Sequence, residues 1–123
     1  MNNKHQPQPP LNNPTMHLDS EPFSLIKDGH KTIEVRLNDA KRQAIEIGNI
    51  IKFINNKTKE YLEAKVIDLL KYPDFNSLLD SCDIASFGSN NKELFLQKLR
   101  GYYLEEAEKE NGVVGIKIKV LES

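Results

Sequence analysis

The residues best equipped for chemistry cluster in "DGHKTIEVRLND", residues 28 to 39, where Lys31, Glu34 and Arg36 follow a turn of Asp28, Gly29 and His30. An arginine fork matches a phosphate or a base edge through two parallel hydrogen bonds. A lysine supplies a point cation, or a base when it is desolvated. A glutamate beside both orients them or accepts from an exocyclic amine. Strand alternation puts Thr32, Glu34 and Arg36 on one face and Ile33, Val35 and Leu37 on the other. The plainer reading is an exposed same-face ion pair, worth about 0–1 kcal/mol. Spacing alone leaves open whether the charged face meets water or a cleft.

Other residues offer less. Lys27, Lys31, Arg36, Lys41 and Arg42 lie close in sequence, with acid concentrated in "LEEAEKE" at 104 to 110, an asymmetry that suits an anionic partner. His5, His17 and His30 have neither metal-ligand spacing nor cysteine partners, so zinc is not expected; His17 falls in "MHL" and His30 in the charged turn. Cys82 has no neighbouring base and reads as a small semi-buried hydrophobe. Ser86, Gly88 and Ser89 form a loop without a phosphate-loop or nucleophile-elbow pattern, with Ser89 or Asn90 expected to cap the next helix. Of Tyr102 and Tyr103, one is expected in the core and one exposed, and a tyrosine in a cleft can stack on a base. Phe75 and Phe95 read as core, and Lys117 and Lys119 as the solvated edge of the last strand.

These residues sit in a chain of 123 residues, 38% hydrophobic and 28% charged, which is enough for a single domain with a real core. A formal net charge of −1 argues against nonspecific grip on a duplex. No apolar run approaches the roughly 20 residues of a membrane helix. One cysteine and no secretory h-region make a reducing cytoplasm the expected address. Residues 1–15, rich in Asn, Gln and Pro, read as a disordered arm, leaving 16–123 to fold.

"MHL" at 16 to 18 opens a strand, and Ser20 caps a short helix that stops at Gly29. "TIEVRL", 32 to 37, is a strand; "AKRQAIEIGN" is a connection ending in a turn at Gly48 and Asn49. "IIKFIN" (50–55) and "EYLEAKVIDLLKY" (60–72) form a hairpin. "PDFNSLLDSC" and "KELFLQKLRGYY" are helices, the second extended by "LEEAEKE", and "VVGIKIKVLE" is a half-buried strand. That order favours an α+β fold with a mostly antiparallel sheet or small barrel and flanking helices.

"GHKTIEVR" also fits the G-x-K-x-x-E-x-R pattern of the ASCH superfamily, with Gly29, Lys31, Glu34 and Arg36 in its four places. The opening strand and helix, the strand after Gly48, "KYPDF" and the terminal "GVVGIKIKVL" resemble that family in the same order, over residues 16 to 121. The likeness is to small single-domain bacterial members. It implies a PUA-like barrel whose side cleft receives the motif charges, with Gly29, Lys31, Glu34 and Arg36 as ligand-binding residues and RNA or a small nucleotide as partner. Some relatives are amidohydrolases acting on N4-acetylcytidine, through a lysine, a threonine three residues on and a later glutamate. Here Lys31 matches and Glu34 stands where the threonine would be; Thr32 lies too close to replace it, and Glu63 and Glu93 are the candidate distal carboxylates. In such an enzyme Lys31 and Glu34 would be catalytic. A metal-dependent ribonuclease is a further implication, for which Glu34, Asp39 and Asp68 offer oxygens without metal-site spacing. Binding without cofactor or metal is the leading expectation, hydrolysis the alternative, and a protein-interaction module a third.

Overall fold

The computed structural model describes residues 13–122. Five strands form one curled sheet in the order β1-β3-β4-β5-β2. They are β1 (Thr15–Leu18), β2 (Ile33–Leu37), β3 (Ile50–Asn55), β4 (Tyr61–Tyr72) and β5 (Val113–Val120). β1 runs parallel to β3, and every other neighbouring pair is antiparallel. The helices are α1 (Ser20–Lys27), α2 (Ala40–Gln43), α3 (Phe75–Asp80), α4 (Lys92–Tyr102) and α5 (Glu105–Asn111), with a 3-10 helix at Ile84–Phe87. This is the α+β half-barrel with attached helices that the pattern of elements called for.

Both faces of the sheet are covered. Phe23 and Ile26 of α1 pack with Met16, Leu18, Phe53, Val66 and Ile116 on the concave side. Ile33, Val35 and Val113 pack with Phe75, Leu78, Phe87 and Leu99 from α3, the 3-10 helix and α4 on the other. β5 is therefore buried on both sides over its first half, where simple alternation suggested a half-solvated strand. Gly115 permits this, because a Cβ there would lie 3.0 Å from both Ile33 Cγ2 and Leu78 Cδ1.

Several boundaries differ from the sequence reading. Residues 13–15 are tied to the sheet: Thr15 opens β1, the Pro14 carbonyl accepts from Lys52 N at 3.0 Å, and Asn13 Oδ1 accepts from Ile50 N at 3.1 Å. The rest of the expected arm, residues 1–12, lies outside the described residues. Asp19, not Ser20, is the N-cap of α1. Asn91 caps α4, its side chain accepting from Leu94 N. The polar "LEEAEKE" is a separate helix, because Tyr103 adopts extended backbone between α4 and α5.

Candidate functional site: a charged cleft at the edge of β2

The approach to the site is built at the end of α1. Gly29 takes a left-handed φ of +81°, and the amides of His30 and Lys31 both donate to the Leu25 carbonyl, at 2.9 and 3.0 Å. The chain thereby folds back over the helix end and sends Lys31 inward. Gly29 does not itself line the cleft; its part is in the turn.

Lys31 and Glu34 are 7% and 5% exposed, which excludes the solvated ion pair of the plainer reading. Lys31 Nζ lies 3.1 Å from Glu34 Oε1, and Arg36 Nε donates to Glu34 Oε2 at 2.7 Å. One carboxylate thus holds two cations, one on each oxygen. Arg36 also donates from Nη2 to the His17 carbonyl at 3.1 Å. Lys31 Nζ sits 5.5 Å from the centre of the Phe95 ring, within reach of a cation–π attraction. Burial pushes the Glu34 carboxyl up, but the charges of Lys31 and Arg36 and their hydrogen bonds outweigh it, leaving it below its ordinary value of 4.5. Burial raises the Tyr103 phenol, with Arg36 and Glu34 pulling it in opposite directions.

These groups face a half-open cavity of about 1080 Å³ between α1 and α4. Lys31, Glu34 and Arg36 form its charged floor, and Pro22, Leu25, Phe95 and Leu99 contribute apolar wall. His17 and His30 also line it, as do Gly88, Ser89 and both Tyr102 and Tyr103. Tyr103 is half buried against Phe75, with ring centres 5.4 Å apart, while Tyr102 is exposed, matching the expected division. Phe95, read as core, is a cleft residue as well. Lys41, Arg42, Lys117, Lys119, Glu63 and Glu93 do not line the cavity. Asp68 is exposed and bonds its own neighbour's amide, and Asp39 caps α2. Among the described residues no cluster of three metal-ligating side chains occurs.

The mouth was not legible in the sequence. Asp19, the N-cap of α1, makes no side-chain bond to its own helix and accepts instead from the Tyr102 hydroxyl at 3.0 Å. Glu21 meets Lys98 at 3.4 Å. These two links join α1 to α4 across the opening. Their only sequence signal is the i, i+4 spacing of Leu94, Lys98 and Tyr102, which gives one face of α4.

Comparison with known families matches the ASCH domain over residues 16–122. The chain belongs to the ASCH family. Among solved structures, the hypothetical protein PH0355 is 37% identical with a TM-score of 0.79, over 88% of this chain and 98% of that one. Protein PF0455 from Pyrococcus furiosus is 36% identical with a TM-score of 0.71, over 89% and 97%. An ASCH protein from Zymomonas mobilis, 16% identical with a TM-score of 0.62 over 88% and 68%, shares the fold. No curated protein matches. The sheet and helices of this ASCH domain have the PUA-like arrangement, and no helix among the described residues is long and apolar enough to cross a membrane.

Proposed function

We propose that this ASCH domain binds a single nucleotide, free or presented by RNA, with its anionic group on the Lys31–Glu34–Arg36 floor. The observation that carries this reading is the charge count of that floor: two cations share one carboxylate, leaving one positive charge in a site largely shielded from water. A desolvated excess charge attracts a counter-charge far more strongly than an exposed one. The apolar walls suit a base or sugar. The basic residues that would extend the site along a strand, Lys41, Arg42 and Lys117, stay outside the cavity, which favours a compact ligand over a long tract. Glu34 orients both cations, since each of its oxygens is engaged.

Hydrolysis of an acylated nucleoside is the second reading, favoured by the burial of Lys31 beside an acid. Against it, the amine is held by Glu34, and the candidate distal acids Glu63 and Glu93 lie outside the cleft.

Calorimetric titration with the four ribonucleoside monophosphates at two salt concentrations tests the binding reading. At least one should bind, more weakly at higher salt, and Lys31→Met or Arg36→Met should each weaken it by roughly 10- to 100-fold, the loss of one charged hydrogen bond. No binding by the folded protein contradicts the proposal. Turnover of N4-acetylcytidine that disappears in Lys31→Ala would replace it with the hydrolytic one.

A further inference from the structure

Resting on that binding reading, we propose that the main-chain N–H and C=O of Val35 read the edge of a nucleobase. The cleft contacts Glu34, Val35 and Arg36, three consecutive residues of one strand. Their side chains alternate: Val35 packs with the outer cluster, whereas Glu34 and Arg36 lie opposite Ile116 and Val114 of the inner cluster. One cavity touches both faces of a strand only where it meets that strand edge-on. β2 is an edge strand of the sheet, so this edge has no neighbouring strand.

The hydrogen-bond phase of β2 fixes which groups point that way. Ile118 N donates to the Thr32 carbonyl at 2.9 Å, and Asn38 N donates to the Gly112 carbonyl at 3.0 Å. Thr32 and Asn38 therefore turn their main chain toward β5, and with period two so do Glu34 and Arg36. The register between β2 and β5 is unbroken from Ile33 to Leu37. Ile33, Val35 and Leu37 consequently aim their N–H and C=O at the open edge. Of these three only Val35 reaches the cavity. Among the described residues no main-chain partner meets it there.

A single residue's N–H and C=O form an adjacent donor and acceptor. The complement is a planar ligand with an acceptor beside a donor, as on the base-pairing edge of a nucleobase. A peptide strand would need several such pairs. The cavity offers one, because Ile33 and Leu37, the flanking residues that face the same edge, lie outside it and Arg36 crosses to His17 beside it. A base seated on Val35 has Leu25 and Phe95 available to cover its faces and Arg36 next to it for its phosphate.

The test is amide hydrogen exchange by NMR on the full, uniformly nitrogen-15-labelled chain, with and without UMP, CMP, AMP and GMP in turn. With a nucleotide that binds, exchange at Val35 should slow by at least roughly tenfold, and its amide proton should move downfield. Exchange at Leu37, on the same edge but outside the cavity, should stay within about twofold, which separates a local bond from general stiffening. Shifts at Lys31 and Phe95 with unchanged exchange at Val35, or equal slowing at Val35 and Leu37, overturn the edge-reading proposal and leave nucleotide binding standing. No shift with any of the four overturns nucleotide binding, and this proposal with it.

Discussion

Glu34 sets the energetics of the site. Its carboxylate is buried, but both oxygens hold cations, so its ionised form is favoured in the folded protein and its pKa lies below the ordinary value. A carboxyl depressed by folding contributes stability above its unfolded pKa and loses it as pH falls through the folded one. The stability gap between the wild type and Glu34→Gln should therefore be full at neutral pH and shrink below about pH 4; a gap constant down to about pH 2 in thermal melts contradicts this account. Glu34→Ala, which leaves two shielded cations without their anion, should cost about 3–5 kcal/mol in urea unfolding. The sequence showed that Glu34 and Arg36 share a face, with Lys31 at the turn before them. It did not show that the face ends at an open edge, because side-chain alternation carries no information about which strand lacks a neighbour.

At the scale of elements, the turn between the 3-10 helix and α4 lies against the stem of Lys31. Gly88 holds φ at +80°, and a Cβ there would lie 3.1 Å from Lys31 Cβ and 3.2 Å from Leu25 Cδ1. Gly88→Ala meets both a backbone and a steric penalty, so it should lower stability by about 1–3 kcal/mol and weaken nucleotide binding through a displaced lysine. A variant with unchanged melting temperature and affinity would show that this turn does not position the site. "SFGSNN" signalled a loop, but its place over the charged strand depends on Thr32 N reaching the Ser86 carbonyl, a contact between distant segments. The same limit hid the break before α5. Tyr103 is drawn against Phe75, and the buried Glu108 accepts from Phe75 N at 2.7 Å and pairs with Arg100. In a run of six polar residues and one alanine nothing marks that glutamate as internal.

Over the whole molecule, β1 and β2 are the two ends of the sheet, and the bond from Arg36 to the His17 carbonyl is a polar link between them. The motif arginine thus serves the curl of the half-barrel as well as the site. Arg36→Lys keeps the charge but loses the fork that reaches Glu34 and His17 together. Amides of β1 should then exchange faster by roughly tenfold, the scale of one charged hydrogen bond, with β4 unchanged; equal rates in β1 would show that the link does not hold the ends. The strands of this closure were readable from periodicity, the α2 and 3-10 turns were not, and the family pattern carried what spacing could not about the site. Thr15, read as arm from its composition, joins the sheet, and Pro14 is tied to β3 through its carbonyl, because main-chain pairing does not depend on apolar side chains.

Under the proposed function, Lys31 and Glu34 are buried for a ligand, while Arg36 serves the ligand and the fold together. Replacing Lys31, Glu34 and Arg36 together by Met, Leu and Met separates the two, because a full set of buried charges exchanged for apolar residues of similar volume is commonly neutral or stabilising by about 1–4 kcal/mol. Calorimetry of this triple variant beside the wild type, with matched thermal melts, is the most direct measurement. The expected result is a folded triple variant with a melting temperature close to that of the wild type, the lost link from Arg36 to His17 offsetting the relief of buried charge, and complete loss of nucleotide binding. A folded triple variant that binds the same nucleotide with wild-type affinity would contradict it.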